Sequence, residues 1–258
     1  MVCPKCEMEQ DDGNLLCDYC RYLFVARESP GYGVAHDTTA TFTAQAVTSP
    51  IVWLRDRLFT AQLIGNPLAL CGRAVLLLFL AVWGLRLVSS TIESNAVGES
   101  FWHLVNLPFH EAGHVLFTPF GDFIRVLGGT LGQLIMPMVC CLVLLLKTRD
   151  PFGAGAALWW FGENFLDIAP YINDAGVGEL PLLGGNTGES TPYGFHDWEY
   201  LLTETDQLGR DQDIARASQV LGATVMLLAV AWMAAMLWQS YQLWRAGAGT
   251  TLDTSKAA

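Results

Sequence analysis

Two stretches of this chain carry no charged residue for far longer than a helix in a soluble domain tolerates: 21 residues at 126–146 and 28 residues at 217–244. A bilayer core is roughly 30 Å thick and a helix rises about 1.5 Å per residue, so about 20 apolar residues suffice to cross it. Both runs are long enough, and both stop at cations: Lys147 and Arg149 after the first, Arg245 after the second. A third, 68–90, holds AVLLLFLAVWGL between Arg73 and Arg86, whose long stems can snorkel to the interface. Only 15% of the chain is charged, against about 25% in a typical soluble domain, so it cannot coat a globule with ions. Disorder, a collagen-like repeat and an ordinary soluble enzyme are excluded. The expected fold is an all-α integral membrane bundle of four to five apolar helices.

Two further apolar segments are interrupted by ionisable side chains. Residues 101–120 contain His103, His110, Glu111 and His114, and residues 152–173 contain Glu163, Asn164 and Asp167. Such groups are costly at membrane depth, so they are functional candidates first. Within the first segment stands His110-Glu111-Ala112-Gly113-His114, an HExxH sequence. On a helix, positions i and i+4 share a face, so both imidazoles can reach one Zn(II), and Glu111 can act as general base toward the water that zinc activates. The bland alternative is a chance HExxH with packed or snorkelling histidines. Unpaired polar groups in so apolar a run are expensive, which favours the metal site.

The arrangement resembles the site-2 protease family of intramembrane zinc metalloproteases. The resemblance rests on HExxH in an apolar helix, the following Gly128-Gly129-Thr130-Leu131-Gly132-Gln133, and a later apolar helix running from Asn164 through Asp167 and Pro170 to Asp174. It covers roughly residues 100–175. In that family a downstream aspartate completes the metal site. The resemblance therefore implies His110, His114 and Asp174 as zinc ligands, although Ala175 here follows where the family has glycine. Other third ligands stay open. Glu163 and Asp167 share a helix face at i and i+4, similar to the Glu-x-x-x-Asp of thermolysin-like enzymes. His196, in Gly194-Phe195-His196-Asp197-Trp198, is the remaining strong ligand type, with Asp197 as its support or as a solvated loop carboxylate. His103 reads as packing or interfacial, and Gln133 and Asn164 as packing residues able to hydrogen-bond across helices.

Residues 1–28 form a separate unit. Cys3-Pro4-Lys5-Cys6 and Cys17-Asp18-Tyr19-Cys20 are two CxxC pairs ten residues apart. Each turn points two thiolates at one place, and two turns complete a tetrahedral structural zinc, so Cys3, Cys6, Cys17 and Cys20 are expected to form a zinc ribbon. Two zinc ions are thus expected, one catalytic and one structural. Residues 29–67 read as a linker with a possible interfacial helix at 51–64, residues 68–245 as the membrane domain, and 246–258 as a tail.

Net charge is −11, and nine acidic against two basic residues fall between 174 and 216, the expected extramembrane loop. This balance argues against nucleic-acid binding. Thiolate ligands and the cations at 147, 149 and 245 put both termini in the cytosol, with a bacterial inner membrane as the expected location. The expected function is a membrane-embedded zinc endopeptidase acting on membrane-associated proteins or peptides, its ribbon meeting a cytosolic partner. The alternative is a non-proteolytic scaffold that keeps the same fold. A di-iron oxidase needs many more histidines than the five present.

Overall fold

The computed structural model describes residues 2–3, 49–62 and 64–254, the last eight by backbone alone. It divides into a unit Met1–Ser49 and a unit Pro50–Ala258. Cys6, Cys17 and Cys20 lie outside the described residues; Cys3 is buried in its own unit. The second unit is helical, and no strand occurs among the described residues.

Its elements are α1 (Pro50–Phe59), α2 (Pro67–Val88), α3 (Phe101–Phe117), α4 (Asp122–Leu146), α5 (Pro151–Asn173), α6 (Asp197–Glu204) and α7 (Asp211–Thr254). Helix starts follow local chemistry. Asn66 accepts from the amide of Leu68 at 2.9 Å ahead of Pro67, and Asp150 accepts from that of Gly153 at 3.1 Å ahead of Pro151. A proline there lacks only a donor that the first turn leaves unused. Asp150 also pairs with Arg73 at 3.1 Å, so this arginine has an anionic partner as well as the route to the interface that its long stem allows.

Among the described residues three helices are long and apolar enough to cross a membrane: α2, α4 and the Leu208–Ala246 stretch that contains most of α7. Helix α5 lies inside the bundle, with 15 of its 23 residues buried. Its Phe152, Trp159 and Leu166 pack with Leu80 and Leu87 of α2 and with Met226, Met233 and Met236 of α7. Close approach of α5 and α7 depends on glycine. A Cβ on Gly162 would stand 2.9 Å from the carbonyl oxygen of Gly222. Small residues at such crossings let backbones meet where apolar lipid gives helices little other reason to associate.

The two ends of the bundle differ in charge. At one end α1 sits by the turn between α4 and α5, where Arg57 donates to the carbonyl of Leu146 at 2.7 Å and Gln62 donates to that of Arg149 at 2.8 Å. Helix α1 buries no residue and exposes Ile51, Trp53, Leu54 and Phe59. At the other end α5 runs into the acidic segment that leads through α6 to α7.

Gly162→Val should lower stability by about 1–3 kcal/mol, because the added atoms must push α5 from α7. Gly72→Ala, where a Cβ meets nothing within 4 Å, should be neutral or raise stability by up to about 1 kcal/mol. Thermal denaturation of the detergent-solubilised protein compares the two.

Candidate metal centre

His110 and His114 project one turn apart from α3 toward α4, their ring centroids 4.8 Å apart. What lets them do so is the glycine-rich sequence of α4. Gly113 of α3 meets the backbone of Gly128 and Gly132, so a side chain at any of the three would collide with the opposite helix. On the same stretch, residues 125, 129 and 133 recur once per turn and face the two rings. His114 Nδ1 donates to the Arg125 carbonyl at 2.9 Å, and His110 Nδ1 contacts Gln133 Oε1 at 2.8 Å. Gly129 lies between them, and a Cβ there would stand 2.5 Å from His110 Nε2 and 2.6 Å from His114 Nε2.

These partners decide the tautomer. A carbonyl oxygen only accepts, so each Nδ1 carries the hydrogen, and in a neutral ring Nε2 is left with a lone pair. Both Nε2 atoms point at one carboxylate oxygen: Asp197 Oδ2 lies 2.9 Å from His110 Nε2 and 3.2 Å from His114 Nε2. Three lone-pair donors therefore converge on one spot, and only a positive species between them makes that favourable. A proton can bridge one pair; a divalent cation satisfies all three. The donor set His-His-Asp is one zinc accepts, and ligands about 2.1 Å from a tetrahedral zinc lie about 3.4 Å apart, a few tenths of an ångström beyond the distances found. Hydrogen-bonded Nδ1 atoms are also what ligating histidines require of their surroundings.

Asp197 opens α6 and is held from three sides. Its amide donates to the Tyr171 hydroxyl at 2.9 Å. Next to it His196, fully buried, caps α6 by accepting from the Glu199 amide through Nδ1 at 3.1 Å, and its ring lies 4.2 Å from that of Tyr171. Burial holds the His196 imidazole below its ordinary value, against the pull of Asp174.

The carboxylate against the histidines is thus Asp197, whereas Asp174, ranked first by the resemblance, is engaged elsewhere. Its two oxygens accept from the amides of Glu179 at 2.9 Å and Leu180 at 3.0 Å, and His196 Nε2 stands 3.4 Å from Oδ2. Asp174 and His196 together fold the loop that presents Asp197. Glu163 and Asp167 form a different cluster, between α3 and α5. The Asn106 amide donates to both at 2.9 Å, Trp160 donates to Asn106 Oδ1 at 2.8 Å, and His103 pairs with Asp167 at 3.0 Å. His103 is therefore more than packing. Glu111 is exposed, and its charge acts on both His114 and Tyr171.

The sequence reading missed Asp197 as a partner of the histidines, and missed Tyr171 altogether. The signal available for Asp197 was its place beside a histidine at a helix start outside the apolar runs. No family model, curated protein or solved structure matches this chain.

If the histidines hold zinc, Gly129→Ala should abolish that binding while leaving the helices formed, since its methyl group occupies the ring nitrogens' space. Gln133→Leu should weaken it by about 10–100-fold, by releasing the His110 ring. Competition against a chromogenic chelator measures both.

Proposed function

We propose that this chain is a membrane-embedded zinc metalloendopeptidase of the kind the site-2 protease resemblance implies, cleaving peptide bonds of membrane-associated proteins. The observation that supports it most is the convergence of His110 Nε2 and His114 Nε2 on Asp197 Oδ2, on a helix whose HExxH sequence also carries Glu111. His110, His114 and Asp197 would hold the metal, with Asp197 in the place the resemblance gave to Asp174.

Zinc so held supplies a Lewis acid that activates water and polarises a carbonyl. The protein's own groups do the rest. Gln133 and the Arg125 carbonyl keep both imidazoles in the one tautomer that can bind. Glu111 removes a proton from the attacking water and returns it to the leaving nitrogen as the C–N bond breaks, work for a carboxylate with solvent access.

The paired cysteines of the first unit carry a structural zinc and serve as a cytosolic adaptor for a partner. The cations at the α1 and α4–α5 end face the cytosol with both termini, and the acidic loop with its site end faces out, in a bacterial inner membrane.

Glu111→Gln should keep about two zinc ions per chain and lose cleavage by at least about 100-fold. His110→Ala should keep only the cysteine-bound zinc. A wild-type protein that holds one zinc, unchanged in His110→Ala, is instead the non-proteolytic scaffold. Elemental analysis of purified protein, with casein cleavage as the activity probe, distinguishes them.

A further inference from the structure

We infer that Tyr171 is a second catalytic residue of this centre, its phenol O–H donating to the substrate carbonyl oxygen as negative charge grows there. The inference rests on the hydrolytic reading above and adds a residue to it.

The argument begins with the hydroxyl's hydrogen bonds. A phenol offers one hydrogen and can accept as well. The Tyr171 oxygen accepts from the Asp197 amide at 2.9 Å, a bond that uses the oxygen and leaves its hydrogen uncommitted. With an ordinary pKa near 10, a tyrosine keeps that hydrogen at neutral pH. Both Nε2 atoms and the Asp197 carboxylate at the spot are lone-pair donors or acceptors. Beside them, at Asp197, Tyr171 supplies a fixed, uncharged hydrogen-bond donor.

The ring is also fixed. It lies 4.2 Å from His196 and 6.4 Å from His110, centroid to centroid, between the residue that caps α6 and a proposed metal ligand. A donor aimed before the reaction begins needs no reorganisation when the oxygen turns negative, which is what gives such groups their catalytic effect. No proton leaves Tyr171 in this role. The water oxygen adds to the carbonyl carbon, Glu111 carries the water's proton to the nitrogen, the C–N bond breaks, and Tyr171 contributes a hydrogen bond throughout.

Full-length Tyr171→Phe in detergent tests the assignment against a purely structural role for the Asp197 amide bond. The expected result is two zinc ions per chain as in wild type, KM for casein unchanged, kcat lower by about 100-fold, and acetohydroxamate bound about tenfold more weakly. Unchanged kcat and hydroxamate affinity would overturn it. So would loss of the histidine-bound zinc in the variant, because the phenol would then be holding Asp197 in place. If wild type itself carries no zinc at the histidines, the metal reading fails first and the Tyr171 role goes with it. Wild-type metal content separates that outcome from the other two.

Discussion

The structure depends on one electrostatic constraint: two imidazole lone pairs and a carboxylate oxygen meet inside an apolar helix bundle. In water this costs nothing, since solvent fills the space between them. Among α3, α4 and α6 it is unfavourable without a positive centre. The rings cannot escape by turning, because the Arg125 carbonyl and Gln133 Oε1 each hold an Nδ1 hydrogen. The three groups so placed could hold a metal ion.

That constraint propagates outward through glycine. Histidines at this spacing reach a common point only if α4 passes close to α3, and α4 passes close only where Gly113, Gly128 and Gly132 present no side chain. Gly129 then leaves room for the nitrogens themselves. The same device recurs between α5 and α7 at Gly162 and Gly222, which keeps α5 central and carries Tyr171 to the site. The loop after α5 completes the arrangement from outside the apolar runs. Asp174 gathers its backbone amides, His196 plugs its base, and Asp197 reaches in.

Much of this was legible from residue order. The apolar runs locate α2, α4 and α7 to within a few residues, except that α7 extends beyond its run at both ends, because bilayer thickness and charge placement fix where such helices can stop. HExxH put two imidazoles on one face by helical periodicity alone. Gln133 was noticed as a cross-helix hydrogen-bonding group without its partner being knowable. Asp150 and Arg73, 77 residues apart, gave no sign of pairing.

By itself the sequence determined which segments are buried in apolar surroundings, where the unusual ionisable residues fall, and that two of them can share a ligand, since all three follow from local composition and a 3.6-residue period. The identity of the third partner was decided only by the tertiary fold. Four carboxylates or histidines competed for that place in the linear order, and no local rule ranks residues separated by a loop of some twenty positions. Backbone amides claimed Asp174, Asn106 claimed Glu163 and Asp167, a helix cap claimed His196, and the carboxylate left facing the histidines was Asp197. Each assignment satisfies a buried polar group with the nearest complementary one, and nearness across a loop is a property of the folded chain alone.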